Sequence, residues 1–201
     1  MRTFVVVSHT APLNGDFSLT DLPGGAGRLD ILCRCAVEAF LVSHGIRKDT
    51  RLYFSIRDQL VVTMEGERLR HLNPDERSTA ALLRRALARG SVVGPGETVE
   101  STSGISVERA GLAKLLQALR EEGRYLILLA ESGVPLLQAP LAGHPAFILS
   151  DHCEFEPEER ELLDELPRVS VGPRWLHGHQ CITLVHSELD QREAGWTSGL
   201  G

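Results

Sequence analysis

The feature that most constrains this fold is a set of short apolar runs without polar alternation. Thr3–Ser8, Tyr125–Ala130 and Ala146–Ser150 are each five or six residues long and rich in Val, Ile, Leu and Phe. A strand with one wet face alternates apolar and polar residues. A strand that does not alternate reads as covered on both faces, as in a parallel sheet. Helical patterns lie between these runs. Leu29, Leu32, Ala36 and Phe40 recur at steps of three and four and give Arg28–His44 one apolar face, with Gly45 as the stop. Asn73-Pro-Asp-Glu76 opens a second helix that runs to about Ala88: Asn caps, Pro fills the first turn, and Glu three residues on completes a capping box. Gly111–Glu122, the acidic-fronted Pro157–Leu166 and Cys181–Leu189 are further helices. Thr50–Ile56 and Leu60–Met64 form a hairpin through Arg57-Asp58. Ile105–Glu108 and Arg168–Val171 are short strands, and Ala11–Gly27 and Gly90–Ser103 are loops. Strands alternating with helices define an α/β class with a parallel sheet flanked by helices. No stretch has linker composition, so residues 1–201 read as one domain.

Composition narrows the function classes. No apolar run approaches the roughly 20 residues of a membrane helix, and the first residues read as a strand and not a signal peptide. A cytoplasmic protein with no membrane partner is expected. Four cysteines are too few for a disulfide scaffold. A zinc site drawn from Cys33, Cys35, His152, Cys153, His177 and His179 lacks the usual Cys-x-x-Cys spacing, so no metal is expected. The net charge of −6 weighs mildly against nucleic acid. However, Lys48 and Lys114 are the only lysines, so nearly all cations are arginines, which bind phosphate bidentately and stack on bases. Such a bias also arises from a GC-rich genome or a salt-adapted acidic surface. A local arginine patch in an acidic protein satisfies both.

Two stretches are unusual for a scaffold. Asp21-Leu-Pro-Gly-Gly-Ala-Gly-Arg-Leu-Asp-Ile-Leu-Cys-Arg-Cys35 runs from a glycine-rich turn straight into a helix opening with Arg28, Asp30 and Arg34. Val171-Gly-Pro-Arg-Trp-Leu-His-Gly-His-Gln-Cys181 is a loop leading into the last helix. No Gly-x-Gly-x-x-Gly follows a strand, so the Rossmann fingerprint is missing. Strand ends at Leu129, Ser150 and Val171 should share the carboxyl edge of the sheet, where ligands bind in open α/β folds. Loop amides there can hydrogen-bond an adenine, and apolar side chains can sandwich it.

These stretches, with Ser43-His-Gly-Ile-Arg47, Asn73-Pro-Asp-Glu-Arg77, Phe147-Ile-Leu-Ser-Asp-His152 and Cys181-Ile-Thr, resemble the archaeal-type tRNA pseudouridine-54 N1-methyltransferases. That family belongs to the knotted SPOUT class. The resemblance spans residues 1–190. It implies a SPOUT fold with a C-terminal trefoil knot at about residues 125–190, S-adenosyl-L-methionine as cofactor, tRNA as partner, and a homodimer with the knot at its interface. The matching cofactor positions are Leu129, Ser150, Val171, Gly172, Pro173, Arg174, Trp175, Leu176 and Cys181. Ser150 stands where many members carry Gly, and a positive φ there would strain it.

The implied reaction moves a methyl from a sulfonium to N1 of a pseudouridine. It needs orientation, loss of the N1 proton and donors for the base oxygens. Asp30 is the candidate acidic group at the base, with an i,i+4 pair to Arg34 as its rival role. Arg28 is the candidate donor, because Arg is unfavourable at the positive end of a helix dipole. Arg34, Arg47 and Arg77 are candidate RNA contacts. Asp151-His152 could face the site or cap a loop, and Glu158–Glu161 reads as a solvated helix face. Two alternatives stay open: the acceptor is another pseudouridine, such as one in ribosomal RNA, or the protein is a SAM- and RNA-binding assembly factor without turnover.

Overall fold

Strand β1 (Arg2–Ser8) is buried along its whole length because successive side chains enter two different cores. Phe4 and Val6 join one cluster and Val5 and Val7 the other, as the period of two requires. In the computed structural model, which describes residues 1–141 and 143–196, β1 lies at the centre of a single eight-stranded sheet. With β4 (Thr50–Ile56), β5 (Leu60–Glu65), β6 (Thr98–Thr102), β7 (Ile105–Glu108), β8 (Arg124–Pro135), β9 (His144–Ser150) and β10 (Arg168–Ser170), the order is β10-β8-β9-β1-β4-β5-β7-β6. The half from β10 to β4 is parallel and the half from β4 to β6 is antiparallel. On the face of Phe4 and Phe54 lie α1 (Leu29–Phe40), α2 (Glu76–Gly90) and α5 (Gly178–Glu193). The leucines of α3 (Leu112–Glu121) and Leu163 of α4 (Pro157–Leu163) cover the other.

The sequence reading gives the alternation and misplaces several boundaries. Helix α1 stops at Phe40, and Leu41–Val42 pairs antiparallel with Gly45–Ile46 as β2 and β3. Asp75 and not Asn73 caps α2, its carboxylate accepting the Ser78 N–H at 2.8 Å. Residues 98–102, expected in a loop, form edge strand β6. They lack the apolar run that marks a covered strand, since only one neighbour, β7, secures them. Helix α5 starts at Gly178, with the Gln180 side chain accepting the His177 N–H at 2.9 Å. The hairpin of β4 and β5 does turn at Arg57-Asp58, both left-handed at φ 50° and 52° as a type I′ turn needs. Asp58 then accepts the Leu112 N–H at 2.7 Å and fixes the start of α3.

The largest departure is at β8, which does not end near Leu129. Arg168 pairs with Leu128 and the next residue, Val169, pairs with Val134, so residues 129–133 loop out of the ladder. Gly133 closes this excursion. A Cβ there would sit 2.5 Å from the Val169 nitrogen, so only glycine lets the two backbones meet. Among the described residues no helix is long and apolar enough to cross a membrane.

Candidate active site

The excursion from β8 opens a cavity of about 570 Å³ at the carboxyl ends of β8, β9 and β10. Its size is that of a small-molecule site, roughly 300–1,000 Å³. Leu129, Ser150, Val171, Gly172, Arg174, Trp175, Leu176 and Cys181 all line it. Residues from three distant parts of the chain are thus brought together as the sequence suggested. Pro173 lies in the same loop but is not on the wall. Ser150 lies in β9 opposite Val7, is not among the residues with positive φ, and donates its hydroxyl to the Cys153 carbonyl at 2.6 Å. The strain anticipated for a serine there does not arise. Trp175 is on the rim, 85% exposed.

The lining chemistry suits an amphipathic ligand with charge of both signs, since Arg160, Arg168 and Arg174 line the cavity beside its carboxylates. Leu129, Leu149, Val171 and Leu176 supply apolar surface, and Glu131, Asp151 and Glu154 supply carboxylates. Burial pushes the Cys181 thiol up, and burial with the nearby Asp151 does the same at Cys153. Both thiols stay protonated at neutral pH, which matters because the thiolate is the nucleophilic form.

The glycine-rich turn delivers the second part of the site. Gly27 is left-handed, its carbonyl accepts the Thr10 hydroxyl at 2.8 Å, and Arg28 follows at φ 60°. This bend turns the Arg28 guanidinium onto Asp30, with Nε to Oδ1 at 3.0 Å and Nη2 to Oδ2 at 3.1 Å. Asp30 itself is only 1% exposed. Burial opposes its charge, but the bonds and charge of Arg28, with Arg34 3.7 Å away, outweigh it and hold the carboxyl below its usual range. Arg34 also donates to Glu76 at 2.7 Å, at the first turn of α2, and Arg77 is exposed on the next residue.

Helix α1, which carries this cluster, packs beside the cavity. Arg28, Asp30 and Arg34 are not on its wall, but Arg28 feels the charge of Asp151, which is. Cys35 of α1 is 3.6 Å from where a Cβ on Gly178 would stand, and Gly178 is a wall residue. The Arg34 charge reaches His179, which burial, His177 and Arg34 together push down. His179 also stacks on His177 with ring centres 5.6 Å apart.

Arg47, expected as an RNA contact, lies away from the cavity. It grips Asp190 through two bonds of 3.0 and 2.6 Å. Asp190 lies nine residues beyond Cys181 on α5, about 13 Å along the helix. The Asp190 carboxylate of α5 is shared between Arg47 and Arg2, beside a separate groove between α1 and α5.

Sequence reasoning missed His9 and Glu159. His9 Nδ1 is 2.9 Å from Asp151 Oδ1 and its Nε2 is 2.8 Å from Glu159 Oε2. The signal was present, since His9 directly follows the β1 run at the carboxyl edge of the sheet, where ligands gather. Among the described residues, His9, Asp151 and Cys153 are the one set of ligand atoms close enough to share a metal ion, but both His9 nitrogens already meet carboxylates. The zinc set considered from sequence is not gathered among these residues.

Comparison with known proteins identifies the family of the chain. Residues 1–194 match the family model described as "Putative SAM-dependent RNA methyltransferase". The tRNA (pseudouridine(54)-N(1))-methyltransferase of Haloferax volcanii is 45% identical over 194 residues, covering 94% of this chain and 96% of that protein. Its namesake from Methanosarcina mazei is 42% identical over 201 residues, covering 96% and 93%. Among solved structures, Archaeoglobus fulgidus Nep1 bound to S-adenosylhomocysteine superposes with a TM-score of 0.67 at 18% identity, covering 96% of this chain and 99% of that one. This last likeness speaks to the fold.

Proposed function

The chain belongs to the SAM-dependent RNA methyltransferase family that its sequence matches over residues 1–194, and from that premise we propose how it works. It methylates N1 of pseudouridine 54 in tRNA, the reaction for which its relatives are named. The observation that carries this reading is the cavity at the ends of β8–β10, with the Arg28–Asp30–Arg34 cluster near enough that Arg28 feels the charge of the wall residue Asp151.

The cavity residues would hold S-adenosyl-L-methionine, which supplies an activated methyl on a positive sulfur. Leu129, Leu149, Val171 and Leu176 enclose the apolar part of such a ligand, and the loop backbone of residues 129–132, 171–172 and 174–176 lies at the cavity for its polar edges. The neutral thiols of Cys153 and Cys181 do not compete for the methyl group. Outside the cavity, Arg28 meets the acceptor. Its guanidinium stabilises negative charge on the base oxygens as N1 loses its proton. Asp30 stays ionised, orients Arg28 and is a weak base, so the N1 proton leaves to water. Arg34 and Arg77 hold the RNA backbone.

The chain is one domain whose C-terminal part is threaded as a trefoil knot. What supports the knot is the crossing at Gly133 and the way α5 is lashed to the segment after β8: Arg192 donates to the Leu136 and Ala139 carbonyls at 2.8 and 3.0 Å. The protein works as a homodimer. Exposed Val134, Leu137 and Leu184 around α5 support this. It works in the cytoplasm, where tRNA is found.

The test is methyl transfer from labelled cofactor to two tRNA transcripts, one with uridine and one with pseudouridine at position 54, followed by nucleoside mass analysis. Methyl on the pseudouridine only supports the reading. Transfer only to a ribosomal RNA fragment would replace the acceptor. Cofactor binding without any transfer would favour an assembly factor.

A further inference from the structure

The loop after β9 forms one wall of the cavity through Asp151, His152, Cys153, Glu154 and Phe155. It contains no regular structure, so something must hold it. The hydrogen bonds converge on one side chain. His9 joins Asp151 through Nδ1 at 2.9 Å and Glu159 through Nε2 at 2.8 Å, and its backbone N–H donates to the other Asp151 oxygen at 2.9 Å. Asp151 in turn accepts the Cys153 N–H at 2.8 Å, and Glu159 accepts the Glu156 N–H at 2.9 Å. The loop is thus tied at both ends to an imidazole that directly follows β1.

We propose that His9 is a positioning residue for the cofactor: bridged between Asp151 and Glu159, it sets the 151–156 loop that walls the cavity. This rests on the reading that the cavity holds S-adenosyl-L-methionine. Carboxylates only accept hydrogen bonds, so satisfying both partners requires both ring nitrogens to be protonated. The side chains of His9 and Asp151 are 9% and 2% exposed, where charge-assisted bonds are strong. Burial pushes the imidazole toward neutrality, but Asp151 and Glu159 outweigh it and hold His9 above its usual value. The sign follows. A raised histidine keeps its contribution at low and neutral pH and loses it as pH rises through the folded value. Other groups around the clamp are His152, with Nδ1 3.7 Å from Asp151 Oδ1, Cys153, Glu156, and Arg28, whose charge reaches Asp151 no less than Asp151 reaches it.

The test is calorimetric affinity for S-adenosylhomocysteine from pH 6 to 9.5, on wild type and on His9→Gln. Glutamine keeps a donor but has no charge to lose. Wild-type affinity should be flat near neutrality and fall at alkaline pH. His9→Gln should bind at least about tenfold more weakly at pH 7, the size of one charge-assisted hydrogen bond, and lose the alkaline step. The KM for tRNA should move less than twofold. Glu159→Gln, which removes one of the two charges, should shift the step to lower pH even if His9→Gln fails to fold, and His152→Gln should keep it. Equal affinities and identical pH profiles for wild type and His9→Gln would overturn the proposal, as would an unmoved step in Glu159→Gln. Wild type that binds with the expected profile yet methylates no RNA would refute the reaction and leave His9 in its role. Wild type that never binds S-adenosylhomocysteine would overturn both.

Discussion

Gly27→Ala offers a direct test of how the arginine cluster is built. A Cβ at Gly27 would lie 1.9 Å from the Thr10 carbonyl oxygen, far inside any real contact, and the residue is left-handed at φ 53°. Adopting that conformation costs alanine about 1–2 kcal/mol. Relieving the overlap forces a backbone shift, which in a packed site costs about 1–3 kcal/mol more. A loss of about 2–5 kcal/mol lowers the melting temperature of a chain this size by roughly 4–20 °C. If the strain relaxes inside the loop instead, the melt moves less and Arg28 is displaced. A displacement of about 1 Å costs about a hundredfold in rate. Circular-dichroism melts and methyl-transfer rates on the same sample separate the two routes. A variant that melts within 2 °C of wild type (below the smallest shift expected) and transfers methyl at the same rate would refute the reasoning.

Asp30→Asn should lower kcat about 10- to 100-fold while leaving S-adenosylhomocysteine affinity within twofold, because it frees Arg28 without touching the cavity; a matching loss of affinity would make Asp30 part of the cofactor site. Arg47→Ala should cost at most about 1 kcal/mol of stability and leave the KM for tRNA unchanged, since Arg47 serves the Asp190 pair; a severalfold rise in that KM would return it to the RNA surface. Acid should destabilise the core through His186, which is 3% exposed and donates Nε2–H to the Ala39 carbonyl at 3.0 Å. Burial, Arg47 and Arg2 push it down to about 4. Between 6.5 and 4 the unfolded chain takes up a proton that the folded one refuses, so stability falls with pH, by roughly 3 kcal/mol at the limit. Urea midpoints at pH 7 and pH 4.5 should fall less in His186→Gln than in wild type, and equal falls would count against this role.

Much of the fold was legible because its signals are local. The unalternating runs at β1 and β9 reported strands buried on both faces, and the three- and four-residue steps of α1 reported its core face. The antiparallel half was harder to read. Edge strand β6 is partly exposed, and its Thr-Val-Glu-Ser-Thr sequence fits loop and strand alike. The cavity was legible because its residues cluster at strand ends, yet the looping out of residues 129–133 depends on the register of β10, nearly forty residues on. The Arg28–Asp30 pair needs two left-handed residues in succession, and Gly27 hints at only the first. His9 was missed because its partners, Asp151 and Glu159, are more than 140 residues away. The Arg47–Asp190 pair was not legible because nothing near Arg47 in sequence reveals Asp190.

The most direct test of the central claim, that one site joins this cavity to the arginine cluster, is hydrogen exchange on the full chain with S-adenosylhomocysteine and then with added pseudouridine-54 tRNA. We predict that S-adenosylhomocysteine slows exchange in peptides covering residues 129–133, 150–155 and 171–176, and that tRNA then protects residues 26–34. Protection instead along the α1–α5 groove around Arg47 and Trp196, with the cavity loops unchanged, would contradict it.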